Sequence, residues 1–125
     1  MPASDYLVNS WLDTLSNTSF AVTTAYIALS TTAPNADGTN VSEPGDTYAR
    51  QSIAWNAAAS RAKDNSGEIA FPEATASWGT VTHFAIYDAA SGGNMLWYGT
   101  LTDARAIGAG DTPRFLAETF ELSFS

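Results

Sequence analysis

The chain has 125 residues, of which 45% are hydrophobic and 14% charged, and it contains no cysteine. This is the profile of one globular domain long enough to bury a core without covalent staples, and it excludes disulfide scaffolds, thiolate zinc sites and cysteine nucleophiles. Thirteen acidic residues against five basic ones give a net charge of −8, and the bases (Arg50, Arg61, Lys63, Arg105, Arg114) are scattered. Direct nucleic acid binding, which needs clustered cations, is not expected. No apolar run approaches the length that spans a bilayer, so no membrane partner is expected. The opening Met-Pro-Ala-Ser-Asp lacks the basic and apolar segments of a signal peptide, which implies a protein made in the cytoplasm.

In chain order, the first predicted element is a helix over 4–15. Leu7, Val8, Trp11, Leu12 and Leu15 recur on one face at the helical period, with Ser4 as N-cap, Asp5 at the positive end of the dipole and Ser16-Asn17 as the stop. After Phe20 the pattern changes to short segments rich in β-branched and aromatic residues, separated by Gly, Pro, Asn and Asp. Strands are predicted at 25–31, 48–55, 68–71, 81–88, 95–101 and 115–124. The last alternates, with Phe120, Leu122 and Phe124 on one face and Thr119, Glu121 and Ser123 on the other. Ser91-Gly92-Gly93-Asn94 predicts a hairpin turn between the fourth and fifth strands. Two long loops, 32–47 and 57–67, complete the reading. The fold class is mainly β: an antiparallel β-sandwich or jelly-roll-like barrel with one short N-terminal α-helix, divided into a helical arm (1–20) and a β-sandwich domain (21–125).

The residues present no catalytic constellation. His83, the sole histidine, lies within a predicted strand and lacks a nucleophile signature, so it reads as a hydrogen-bonded strand residue; without a second imidazole or thiolate, a zinc site is not expected. Asn35, Asp37 and Asn40 could offer oxygens to calcium, but they lack the spaced carboxylates of an EF-hand and read as an Asx-turn loop. Glu68, Glu73, Glu118 and Glu121 read as solvated acids rather than a glycosidase pair. Gly108-Ala-Gly110-Asp-Thr112 lacks the lysine of a phosphate loop and reads as a turn. Trp11, Trp55, Trp78 and Trp97 suit core or subunit packing; exposed together above a cleft, they would instead form a glycan-stacking platform. No catalytic residue, cofactor or metal is therefore expected, and elimination leaves a binding or assembly module.

Several segments resemble a family of small tailed-bacteriophage virion proteins. They are Ala25-Tyr-Ile-Ala-Leu-Ser-Thr-Thr-Ala-Pro34, Tyr48-Ala-Arg-Gln-Ser-Ile53, Phe71-Pro-Glu-Ala-Thr75, Trp78-Gly-Thr-Val-Thr-His-Phe-Ala-Ile-Tyr-Asp88, Gly92-Gly-Asn-Met-Leu-Trp-Tyr-Gly99 and Gly110-Asp-Thr-Pro113. Members are labelled tail fibre proteins and are also similar to head decoration, or cement, proteins. The resemblance implies a virion structural protein. A receptor-binding fibre gains length from repeats or heptads, absent here, whereas a compact β domain suits a lattice-binding cement protein. The preferred expectation is a decoration protein on the outer capsid surface, bound to the major capsid protein as a homotrimer; tail-fibre or tail-tip attachment is the alternative. Candidate capsid or subunit contacts are Leu7, Trp11, Leu12 and Leu15 on the helix and Asn35, Asp37 and Asn40 in the first long loop.

Overall fold

A computed structural model describes residues 3–16, 22, 24–59, 62–115 and 121–123, with the backbone alone at 102 and 121–123. The elements are a helix α1 (Asp5–Asp13), followed by a 3-10 turn (Thr14–Ser16), and strands β1 (Ala25–Ser30), β2 (Gln51–Ile53), β3 (Ala62–Asp64), β4 (Ile69–Ala70), β5 (Gly79–Tyr87), β6 (Met95–Ile107), β7 (Arg114–Phe115) and β8 (Glu121–Ser123). The fold is mainly antiparallel β with one short N-terminal helix, as the sequence predicts.

The principal sheet has the order β2-β1-β5-β6, and two two-stranded ribbons, β3-β8 and β4-β7, lie outside it. All the pairings are antiparallel. Register assigns the two faces of the sheet. Ile27 pairs with Ile86, which pairs with Trp97, while Ala28 pairs with Ala85, which pairs with Tyr98; directly opposed side chains share a face.

The first face carries the main core, in which Ile27, Leu29, Ile53, Ile86 and Trp97 meet Ala3 and Leu7 from the N-terminal segment and Ile69, Phe71 and Trp78 from the other side. Ala28, Ala85, Tyr87 and Met95 form a smaller cluster on the opposite face, against which Val41 of loop 32–47 packs. Alanines at the centre of that face leave room for the loop to lie close. Both faces of the sheet are thus covered, one by a layer of short ribbons and the helix, the other by an irregular strap.

Several predicted boundaries move. The strand predicted at 48–55 is confined to Gln51–Ile53, because the Tyr48 and Arg50 side chains reach away from the ladder: Tyr48 Oη accepts from Leu29 N at 3.1 Å, where β1 has run past β2. The predicted loop 57–67 contains β3, an Ala-Lys-Asp stretch whose composition carries no strand signal. The strand predicted to end at 101 continues to Ile107. In the last predicted strand β8 is present, whereas Phe120 and Phe124 lie outside the described residues, as do Asn17, Arg61 and Glu118. The predicted β5–β6 hairpin is present, with Gly92 and Gly93 at φ of 65° and 74°.

Candidate functional site

The N-terminal helix starts where the sequence predicts and is fastened at that end. Ser4 Oγ accepts from Leu7 N at 3.2 Å and donates to the Met95 carbonyl, while Ser4 N donates to Leu96 O at 2.8 Å. Asp5 N donates to Ala36 O at 2.9 Å, so the helix and loop 32–47, both singled out from the sequence, meet at this point. Leu7 turns into the main core at 7% exposure and Val8 packs against it. Leu7 is therefore buried in the core of its own chain.

Beyond Leu7 the apolar stripe continues without equivalent cover. Leu12 is 57% exposed and Leu15 85%, with Tyr6 and Trp11 near two fifths. The hydroxyls of Thr14 and Ser16 donate to the carbonyls of Trp11 and Asp13, which closes the helix end locally and keeps the exposed turn ordered. The helix has Asp5 in its first turn and no base in its last.

Loop 32–47 holds its shape through its own polar side chains. Asp37 Oδ1 accepts from Thr39 N at 3.0 Å and Thr39 Oγ1 at 2.6 Å, the Asx-type turn expected from the sequence, and the Asn35 amide donates to Thr39 Oγ1 at 3.0 Å. The Thr39 hydroxyl and amide hold the Asp37 carboxyl below its ordinary value. The Asn40 amide donates to Ala33 O at 2.8 Å from a residue with φ of 65°. Asn35, Asp37 and Asn40 are exposed but bound within the loop, so their first role is to fix its contour.

The strap is latched by Arg50, which lies in the family-like segment 48–53 but which no local spacing marks as a latch. Its guanidinium donates to both Glu43 carboxylate oxygens at 2.9 Å and to the carbonyls of Ala89 and Gly92 at 3.0 and 2.8 Å, and lies 3.7 Å from the Tyr87 ring centre. Burial alone would raise the Glu43 carboxyl; hydrogen bonds from Arg50 and Tyr48 outweigh it and hold the group below its usual range. Burial and the neighbouring Glu43 push the Tyr48 phenol well up. A shallow groove of about 340 Å³ runs beside this cluster, and the charged groups on its floor are already satisfied by one another.

A second knot forms at Asp46, whose φ is 58°. Its carboxylate accepts from Thr75 Oγ1 at 2.5 Å, Thr75 N at 2.7 Å, Ala76 N at 3.0 Å and Trp78 Nε1 at 3.2 Å. These donors, the Thr75 hydroxyl foremost, hold the carboxyl far below the ordinary aspartate value. The arrangement ties the strap to the segment leading into β5.

The remaining sequence candidates are structural. His83 Nδ1 lies 2.7 Å from the Thr82 hydroxyl, and its cross-strand neighbours are Ser30 and Thr100. Trp78 and Trp97 are core residues at 5% and 4% exposure, and Trp55 is half-buried, so the tryptophans do not form the exposed platform that glycan stacking requires. Gly108–Thr112 forms a turn in which Gly108 N donates to Asp111 Oδ2 at 2.8 Å. Among the described residues, no three His, Asp or Glu side chains converge as metal ligands, and no helix is long and apolar enough to cross a membrane.

In this small fold the polar side chains of the loops fasten the chain to itself, and the end of α1 is left apolar and exposed. The family model that matches the chain is described as podophage GP4 fiber I protein gp80 and spans residues 2–123. The chain belongs to this family. It is accordingly a structural protein of the phage virion, as its sequence resemblance implies. The match takes in α1 as well as the strands, and the family description names a fibre, the alternative of the two virion roles expected from the sequence. No curated protein matches the chain.

Proposed function

We propose that this protein is a non-catalytic subunit of a virion fibre or tail tip, fastened to its neighbours through the exposed end of α1. The observation that carries the reading is the match to a fibre family over 2–123; the exposed Leu12 and Leu15 beside a pinned helix start supply the contact. Apolar side chains held on an ordered turn suit burial against a partner surface. Strap 32–47 lies alongside the helix start and contributes the flanking polar surface through Asn35, Asp37 and Asn40.

The second reading is capsid decoration, in which the protein binds the major capsid protein on the outer head surface as a homotrimer. What favours it is the compact fold without repeats or heptads, which gives a single copy little reach. Gold-labelled antibody imaging of intact virions tests both: label confined to the tail or its fibres supports the first reading, and label spread over the head overturns it in favour of the second.

A further inference from the structure

Strand β6 forms one margin of the main sheet. Apart from its pairing with β5 and with Trp78 just before it, the polar contacts the described residues give it are a bridge from Ala3 to Trp97 and bonds from Ser4 to Leu96 O and Met95 O, all near its start. Its pairing with β5 is interrupted in the middle. Val81 pairs with Arg105 and His83 with Thr100, so Leu101, Thr102, Asp103 and Ala104 stand opposite Thr82 alone. This wide bulge takes the segment out of the β5 ladder, and Asp103, Ala104, Arg105 and Ala106 are all exposed.

The charges on this margin set it apart. Arg50 is bonded to Glu43, Arg114 pairs with Glu68 at 3.6 Å, and Lys63 donates to Asn56 O at 3.0 Å. The Arg105 side chain has no bonding partner among the described residues, and neither does that of Asp103, two positions away. A lone charge on an open strand edge normally keeps copies apart. Opposite charges two residues apart have a different consequence, because the edge becomes complementary to itself.

We infer that β6 pairs with β6 of a second copy of this chain, antiparallel and centred on Ala104. In that register Asp103 of each copy lies directly opposite Arg105 of the other, so one twofold contact closes two ion pairs. The outward-facing backbone groups of this segment, which point away from β5, gain partners in the same step. A shift of one residue would move each charge to the opposite face from its partner, so the charges select the register. The contact is short, and the dimer it makes is weak, with a Kd on the order of 10–100 μM. This inference is independent of where on the virion the protein sits.

Sedimentation equilibrium of the full chain, with circular dichroism to confirm folding of each variant, tests it. The wild type is expected to be a reversible dimer. Arg105→Asp, which leaves two acids facing two acids, is expected to weaken the dimer about tenfold or more, and Asp103→Arg, which leaves bases facing bases, to do the same. An equimolar mixture of the two variants is expected to recover dimer. In the mixed pair the introduced arginine of one copy faces the introduced aspartate of the other, and the retained Arg105 faces the retained Asp103. A monomer at every concentration up to about 1 mM, a trimer indifferent to both substitutions, a dimer that the substitutions leave unchanged, or variants that do not recover on mixing would each overturn it.

Discussion

The Arg50 guanidinium carbon lies 3.7 Å from the centre of the Tyr87 ring, while its hydrogen bonds among the described residues go to Glu43 and to the β5–β6 turn. One side chain thereby joins three parts of the chain: the strap, the sheet face and the hairpin tip. Its side chain is 8% exposed, so little water is available to replace a lost partner.

Lysine at this position keeps the charge but cannot present a planar fork to Glu43 and two carbonyls together. Arg50→Lys is expected to lower stability by about 1–2 kcal/mol, and Arg50→Ala by about 3 kcal/mol through the unpaired Glu43. Urea denaturation of the two variants beside the wild type checks the order.

Acid should loosen the second knot. The folded state holds the Asp46 carboxyl below its ordinary value, so the unfolded chain takes up the proton first and stability rises with pH across that interval. The contribution of Asp46 is complete above about pH 5 and is lost as pH falls below about 4 and through the folded value. Glu43, also held low, acts in the same direction. Thermal melts of wild type and Asp46→Ala between pH 7 and pH 2 should show the variant less stable at pH 7 and the two curves converging toward the acid end. Parallel curves would remove Asp46 from this role.

The two glycines of the hairpin turn make different demands. A Cβ on Gly93 would sit 2.5 Å from Asp88 Oδ1 and 2.7 Å from Ala89 Cβ, whereas one on Gly92 would meet nothing within 4 Å. Both have positive φ. Gly92→Ala is expected to cost about 1 kcal/mol for the backbone conformation alone, and Gly93→Ala distinctly more because the Asp88 cap on Asn94 must also shift. Equal losses in a denaturation series would contradict the turn geometry.

Substitutions along α1 should separate core from contact surface. Leu7→Ala empties a buried site and is expected to cost about 2–4 kcal/mol. Leu12→Ser with Leu15→Ser should change the melting temperature little, while reducing incorporation of the protein into particles when phage carrying the variant are grown and their virions analysed. A variant incorporated at wild-type level would exclude this face as an attachment surface.

What the sequence makes legible is local. The helix is visible because its cap and apolar spacing lie within one short segment, and the β5–β6 hairpin because Gly92-Gly93 sits between two apolar strands. The Arg50 latch is hidden because its partners stand 7, 39 and 42 positions away, and no spacing rule links them. Asp46 reads as one more polar loop residue for the same reason. The extension of β6 through Thr-Asp-Ala-Arg-Ala lacks apolar alternation because much of it faces solvent beside a bulge. Within the helical stripe, the period identifies the apolar face, but it cannot tell that Leu7 is covered by the subunit itself while Leu12 and Leu15 are left outside.

The order in which the strands find partners sets a schedule on folding. Strands β5 and β6 are joined through a tight turn, β3 folds back on segment 55–59 and β1 pairs with β2 on one side; the second partner of β1 is β5, while β4 must wait for β7 and the other edge of β3 for β8, whose residues come late in the sequence. During synthesis the β8-facing edge of β3 and the β7-facing edge of β4 therefore stay open until residues 114–123 have left the ribosome, and loop closure over such distances is slow. The interval is one in which neighbouring nascent copies can mispair. Faster synthesis raises the number of such open chains present together, and it is the arrival of β7 and β8 that closes these edges in each chain.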